Sequence, residues 1–194
     1  PDFAELRIFA KMKKLIPVLF LGLLIFNACQ KDTNYSTVPE IKFERFELYK
    51  NAAGQDTTVD FIFSLTDGDG DIGFADNEID KSCGADNFNL YIYYEEKNGT
   101  AYRPKKLWTQ VTEITPNCDT LVYFDSVQIA FNQRMQYIEP AGNSKGIEAE
   151  VRYRMDYVSA LILLRNVGRF DFYSRDRANN KSNRVFSEDL VLVK

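Results

Sequence analysis

The chain has 194 residues, of which 45% are hydrophobic and 14% aromatic, and its formal net charge is -4. This length and apolar content suffice for one domain with a packed core and argue against a chain that is disordered throughout, while the acidic balance gives no basis for a nucleic-acid partner. Because the chain has no histidine, Ser-His-Asp and Cys-His catalytic systems are excluded, and so is the commonest transition-metal ligand.

The N-terminal part predicts a targeting segment. Residues 1–11 are interpreted as an upstream remnant, since Met12 and the two lysines after it begin a positively charged stretch followed by an apolar run at 15–26. A transmembrane helix needs about 20 apolar residues, so this shorter run has the proportions of a signal-peptide core. We therefore predict a signal peptide at 12–28, with a buried N-terminal helix as the alternative.

The end of the apolar run, Ala28-Cys29, resembles the lipobox of bacterial lipoproteins, and the following residues 30–32 resemble a surface-export signal of Bacteroidota-type lipoproteins. The resemblance implies that Cys29 is lipidated and anchors the protein in the outer membrane, with the domain at the cell surface or, alternatively, facing the periplasm. Polar residues follow, so 29–39 is predicted to be a flexible lipidated tether and 40–194 the folded domain.

Alternating hydrophobic residues predict the strands of the first half of the domain. A strand with a bulge at Glu44-Arg45 is expected within 41–48, and a second strand at 59–65 places one apolar face towards a core. A third strand is expected at 87–95, with Phe88, Leu90, Ile92 and Tyr94 on one side. Its hairpin is predicted to turn at Asn98-Gly99 in a type I′ turn, and Pro104 favours an edge position for the return strand within 100–111.

The second half of the domain shows the same alternation of hydrophobic and polar residues. A strand is expected at 120–131, a loop at 132–145 and further strands at 147–155, 167–174 and 185–193. The run 158–164 is compatible with a buried strand or a helical turn. The inner face of the first of these strands is predicted to carry Leu121, Tyr123, Val127, Ile129 and Phe131. Eight or nine strands without a helical period predict an all-β, antiparallel β-sandwich.

The C-terminal residues 170–183 are similar to the closing hairpin of bacterial Ig-like and fibronectin-type modules, with Asn179 where those modules usually have glycine. Asparagine tolerates the left-handed conformation better than most residues. With its early loop D-G-D-G-D-I-G, the chain resembles a set of Bacteroidota-type outer-membrane lipoproteins that carry D-G-D-G-D-[IL]-G. This resemblance implies an Ig-like fold and a cellular location more than it implies an activity.

The acidic loop, residues 67–73, is the strongest candidate for a metal site. Counted from Asp67, oxygen ligands fall at positions 1, 3, 5, 7 and 12 of a calcium loop; these are Asp67, Asp69, Asp71, the carbonyl of Gly73, and Glu78. Ile72 at position 6 and the preceding strand argue against an EF-hand. We therefore predict a Ca²⁺ loop on a β-scaffold, completed by Asp76 or Glu78. The alternative is a solvated turn in which aspartates cap their own amides.

Two cysteines remain once Cys29 is assigned to lipidation. In an exported protein the pair Cys83 and Cys118 predicts one disulfide, with two free thiols as the alternative. A zinc site is strongly disfavoured, because two cysteines without histidine leave the usual Cys and His ligand set incomplete.

The remaining sequence offers little chemistry. There is no Gly-x-Ser-x-Gly or phosphate-binding loop, and the tyrosines and Trp108 are compatible with a sugar-stacking surface or with ordinary sheet packing. We predict a non-catalytic cell-surface lipoprotein that acts as a binding or scaffolding module, with an envelope protein or a glycan as its partner. Alternatives are an accessory subunit of an outer-membrane uptake or secretion complex and, more distantly, a carboxylate-dependent glycan hydrolase.

Overall fold

The computed structural model of the protein describes residues 35–140, 145–156 and 166–192. The predicted signal peptide, Cys29 and most of the tether lie outside the described residues, as do the run 158–164 and part of the loop 132–145. Within these described ranges, no helix has the length and apolar character needed to span a membrane.

The described residues contain nine strands, a short 3₁₀ turn at Asp76–Glu78 and no α-helix. The strands are β1 Glu40–Lys50, β2 Asp56–Asp67, β3 Leu90–Asn98, β4 Ala101–Pro104, β5 Lys106–Ile114, β6 Thr120–Gln128, β7 Ile147–Asp156, β8 Gly168–Ser174 and β9 Val185–Phe186. One antiparallel sheet has the order β1-β2-β7, a second has the order β4-β3-β8-β9, and β5 and β6 form a separate two-stranded ribbon. The prediction of an all-β sandwich with antiparallel sheets is confirmed.

The core lies between the two larger sheets. Phe61 of β2 and Phe172 of β8 are fully buried, and their rings meet edge to face with centroids 4.7 Å apart. The period-2 alternation of β2 turns Val59, Phe61, Phe63 and Leu65 towards this interface. Such aromatic pairs contribute about 0.5–1.5 kcal/mol beyond the burial of their area, so they hold the two sheets together across the sandwich.

The bulge in β1 is confirmed, because the register with β2 shifts between Phe43 and Arg45. The predicted strand 120–131 divides in two. Its first part forms β6, whereas its end leaves the ribbon and pairs with β3 through a hydrogen bond from the Phe131 amide to the Ile92 carbonyl at 2.8 Å. Ile129 is buried and Phe131 packs on the core, as predicted. The inner positions predicted for Leu121, Tyr123 and Val127 are wrong, because the ribbon exposes these side chains.

Three other local predictions are also corrected. Strand β3 continues to Asn98, which pairs with Ala101, so the turn residues are Gly99 and Thr100 and only Gly99 has a positive φ, of 64°. Phe88 precedes β3 and is exposed. Strand β9 spans two residues instead of the predicted 185–193.

Other local predictions are confirmed. Pro104 ends β4, which lies at the edge of its sheet. Asn179 adopts the left-handed conformation with φ of 66°.

Candidate metal centre

Asp67 reaches the interior because of its position in β2. It is the last residue of the strand and shares the inward parity of Phe63 and Leu65, so the alternation that buries those apolar side chains also buries its carboxylate. Its backbone pairs with Ile147 of β7, which fixes the end of the strand. The acidic loop therefore starts from a rigid, buried point.

The loop lies closely against neighbouring backbone. Gly70 has φ of 70°, and a Cβ atom there would lie 2.1 Å from the carbonyl oxygen of Lys145. Both its conformation and this close approach therefore require glycine. Ile72 is fully buried in the core and forms a β-bridge with Asp176. This explains why position 6 carries an apolar side chain here instead of the glycine of an EF-hand loop.

Three carboxylates converge at this loop. Asp67, Asp69 and Asp71 each place an oxygen within 4.8 Å of those of the other two. Among the described residues, both carboxylate oxygens of Asp67 and the Oδ1 atom of Asp71 are buried without a hydrogen-bond partner. Asp69 is exposed and marks the side of the cluster that faces solvent.

The electrostatics of this cluster disfavour ionisation. Burial raises the pKa of Asp67 to about 7, and the negative charges of Asp69 and Asp71 add to the rise. Burial, followed by the charge of Asp176, also raises the pKa of Asp71. Removal from water and nearby like charges both destabilise a carboxylate. A cation placed between these oxygens would reverse both effects.

Asp176 is a neighbour of the cluster that the sequence did not reveal. It is buried in the turn after β8, and its carboxylate accepts hydrogen bonds from the amide and side chain of Asn180 at 2.7 and 2.8 Å. Its charge contributes to the raised pKa values of Asp67 and Asp71. The sequence signal was the aspartate that follows the aromatic strand, but its distance along the chain hid its proximity to the loop.

The other three predicted ligands have partners elsewhere. The carbonyl oxygen of Gly73 accepts a hydrogen bond from Nε of Arg177 at 2.8 Å. The Glu78 carboxylate accepts a hydrogen bond from the Ala75 amide at 2.7 Å and pairs with Arg177 at 3.0 Å. The exposed Asp76 pairs with Arg134 at 3.2 Å. The structure thus brings together Asp67, Asp69 and Asp71, while arginines engage the rest of the predicted set.

The predicted cysteine pair is also brought together. The Sγ atoms of Cys83 and Cys118 lie 1.94 Å apart, at disulfide distance, and their Cα atoms are 5.0 Å apart. Cys118 lies in the turn that joins β5 to β6, so the bond connects the tip of the ribbon to the segment that follows the acidic loop.

Comparison of the chain with protein-family models, with curated proteins and with solved structures finds no match. The function is therefore inferred from the geometry of the chain itself.

Proposed function

We propose that the protein is a non-catalytic, lipid-anchored cell-surface module for binding or scaffolding, and that Ca²⁺ stabilises its acidic loop. The observation that supports the metal is the fully buried carboxylate of Asp67, which has two unpartnered oxygens beside Asp69 and Asp71. A buried carboxylate without a donor or counter-charge is costly. A divalent cation would supply the missing partner.

The donor set favours Ca²⁺ among the common cations. Hard divalent cations prefer oxygen ligands, and the cluster offers only carboxylates. Mg²⁺ requires near-ideal octahedral geometry, whereas Ca²⁺ accepts six to eight oxygens in irregular arrangements. Backbone carbonyls and water would complete the shell around the three aspartates. We expect a weak site of the extracellular type, with Kd of about 10⁻⁴ to 10⁻³ M.

The proposed role of the metal is structural. Asp67 ends β2, and Oδ2 of Asp71 accepts a hydrogen bond from the Ala178 amide at 3.2 Å. Arg177 bonds to the Gly73 carbonyl in the same region. A cation held by the aspartates would therefore fasten the end of β2 and the acidic loop to the turn after β8, at one end of the sandwich.

Thermal unfolding of the full chain in chelator and in millimolar Ca²⁺ tests the metal. We expect a higher Tm with Ca²⁺, because a ligand that binds only the folded state stabilises it. Asp67→Asn should abolish the increase. Asp76→Asn is the matched control and should retain it, since Asp76 lies in the same segment but pairs with Arg134. An unchanged Tm in the wild-type protein, or a response lost only in the control, would contradict the proposal.

One observation favours a second candidate function, an accessory subunit of an outer-membrane uptake or secretion complex. The β5–β6 ribbon exposes several large apolar side chains, Trp108 and Phe124 among them. The largest apolar patch on a protein surface is often functional, and protein–protein contact is one such function.

A further inference from the structure

The segment that leads into β1 lies against the acidic loop. Residues 35–39, the described part of the predicted tether, directly precede β1, and we call them the tether end. The amide of Gly68 donates a hydrogen bond to the carbonyl oxygen of Ser36 at 2.7 Å. Because Gly68 stands between Asp67 and Asp69, the tether end is bonded to the loop between two of the proposed calcium ligands.

The close approach of the tether end accounts for the glycine at position 68. A Cβ atom there would lie 2.2 Å from the carbonyl oxygen of Tyr35 and 2.7 Å from that of Ser36. Gly70 and Gly73 have positive φ values, whereas Gly68 does not, so a left-handed conformation is not the reason for glycine at this position. Contact with the tether end is what requires it.

Tyr35 attaches the tether end to a second element, the start of β7. Its hydroxyl donates a hydrogen bond to the carboxylate of Glu148. The Cδ2 atom of its ring lies 3.3 Å from the position that a Cβ atom at Gly146 would take, and the carbonyl oxygen of Asp67 lies at the same distance from that position. The tether end, the start of β7 and the end of β2 therefore meet beside the acidic loop.

The tether end is held by few contacts. Ser36, Thr37 and Val38 are exposed, and the Val38 amide donates a hydrogen bond to Oγ of Ser36 at 3.0 Å within the segment itself. Of this segment only Pro39, next to β1, is buried. Segments with few buried contacts and exposed backbone hydrogen bonds open locally at little cost in free energy. Docking of the tether end is therefore readily reversed and depends on the state of the loop that it contacts.

A cation in the loop would act on the docking of the tether end. Binding to Asp67 and Asp69 would restrain the backbone of Gly68 between them, and the Gly68 amide is the donor to Ser36. Without a cation, like charges and the unpartnered buried oxygens of Asp67 favour opening of the loop. Such coupling is reciprocal, so docking of the tether end should also strengthen the binding of the cation.

We propose that the acidic loop is a Ca²⁺-dependent latch for the tether: the bound cation holds the tether end on the domain, and its loss frees residues 35–39. The inference rests on the proposed metal site and lipid anchor. Five freed residues lengthen the tether by at most about 3.3–3.6 Å each, roughly 17 Å in all. The Ca²⁺ concentration would therefore set how far the domain can extend from its anchor.

Brief digestion of the full chain with chymotrypsin, which cleaves after aromatic residues, measures docking at the bond between Tyr35 and Ser36. With mass spectrometry as the readout, we expect cleavage of this bond to be at least about fivefold slower in millimolar Ca²⁺ than in chelator. The bond after Trp108, in the separate ribbon of β5 and β6, is the internal control and corrects for any effect of Ca²⁺ on the protease. Equal slowing at both bonds would indicate general stabilisation and overturn the latch.

Gly68→Ala places a methyl group against the carbonyl oxygens of Tyr35 and Ser36 and leaves every carboxylate in place. The bond after Tyr35 should then be cleaved at the same fast rate with and without Ca²⁺. The Ca²⁺ concentration that gives half of the Tm increase should rise at least about fivefold. Thr37→Ala is the matched control and should behave as the wild type, because Thr37 is exposed and its side chain forms no hydrogen bond among the described residues.

Tyr35→Ala distinguishes the latch from damage to the loop, because it removes the bond to Glu148 from outside the loop. By reciprocity it should also raise the Ca²⁺ midpoint, by about fivefold or more. A midpoint that stays unchanged in Tyr35→Ala would contradict the latch. If Ca²⁺ raises the Tm of the wild type but does not slow cleavage after Tyr35, the metal site stands and the latch fails. If the Tm does not respond to Ca²⁺, both fail.

Discussion

Two buried aspartates of β2, Asp60 in its first half and Asp67 at its C-terminal end, lie in opposite environments. Asp60 and Asp67 are both fully buried in the same strand. Asp60 accepts hydrogen bonds from Arg154 at 2.7 Å, from Arg152 at 2.8 Å and from Tyr49 at 3.1 Å. These bonds, that from Arg154 first, hold the pKa of Asp60 well below its usual range despite its burial.

Asp67 has no donor among the described residues and faces other carboxylates instead, which together with burial raises its pKa to about 7. The comparison separates a carboxylate whose bonding capacity is satisfied by the fold from one whose capacity is unmet. Burial alone therefore does not mark a site. A buried acid becomes a candidate ligand only when the surrounding residues leave its oxygens without partners.

The largest loss of stability is expected from removing the two arginines that bond to Asp60. Arg152→Leu combined with Arg154→Leu leaves a buried carboxylate without a counter-charge, which costs about 3–5 kcal/mol of unfolding free energy. Urea unfolding measures it. Arg45→Leu is the control, because Arg45 and its partners Glu47 and Glu150 all keep about a third or more of their side-chain surface exposed and the change should stay within about 1 kcal/mol. Similar losses in both variants would contradict the contrast drawn between the two aspartates.

Substitution of Asp67, at the C-terminal end of β2, should change the unfolding free energy less and in the opposite direction. In chelator, Asp67→Asn should raise the unfolding free energy by about 1–3 kcal/mol, because it removes a charge that burial and neighbouring carboxylates destabilise. Asp60→Asn should lower it by a similar amount, since the arginines lose a charged acceptor. The same substitution in one strand thus gives opposite signs, and destabilisation by both would refute the difference in environment.

The third prediction concerns pH in the absence of metal. The folded-state pKa of Asp67, about 7, lies above the ordinary value of 3.8, so the folded protein binds a proton that the unfolded chain has already lost. Stability should therefore fall as pH rises, by about 1.4 kcal/mol between pH 6 and pH 8. The raised pKa of Asp71 acts in the same direction. Denaturant unfolding in chelator measures this slope.

Between pH 6 and pH 8 the change in stability with pH reports on the carboxylates around Asp67. The chain contains no histidine, and the lowered pKa of Asp60 places its loss of stabilisation in acid, below the ordinary range of a carboxylate. Asp67→Asn should flatten the slope, and saturating Ca²⁺ should also do so because it holds the carboxylates ionised. A slope that persists in Asp67→Asn would assign it to other groups.

The sequence predicted one half of this comparison. Alternation in β2 correctly indicated which apolar residues face the core, and the loop spacing singled out Asp67, Asp69 and Asp71, whose oxygens the structure brings within 4.8 Å of one another. Spacing cannot show which distant side chains compete for an oxygen, and beyond Asp71 the predicted ligands have such partners. Arg134 pairs with Asp76, and Arg177 bonds to the Gly73 carbonyl and to Glu78. Both arginines are distant from the loop along the chain.

The ribbon shows a second limit of sequence reasoning. The alternation of residues 120–128 correctly indicated a strand, but a period of two does not tell whether either face is covered. Leu121 and Tyr123 were assigned to the core because apolar faces ordinarily pack there. The structure leaves them exposed, and no local pattern distinguishes a strand that joins the sandwich from one that leaves it.

The prediction with the smallest expected change in stability tests whether the surroundings of Asp60 influence the metal site at Asp67. Tyr49→Phe removes the hydroxyl that bonds to Asp60 at 3.1 Å and, at a longer 3.3 Å, to Glu47 and Arg152. It keeps the ring that faces Arg154, so it should cost about 0.5–1.5 kcal/mol. Tyr123→Phe is the control, because its hydroxyl donates to the exposed Glu113 at 3.3 Å, and should change stability by less than about 0.5 kcal/mol. The Ca²⁺ concentration that gives half of the Tm increase should be the same in both variants as in the wild-type protein. A shift of that midpoint in Tyr49→Phe alone would show that the surroundings of Asp60 influence the metal site through β2.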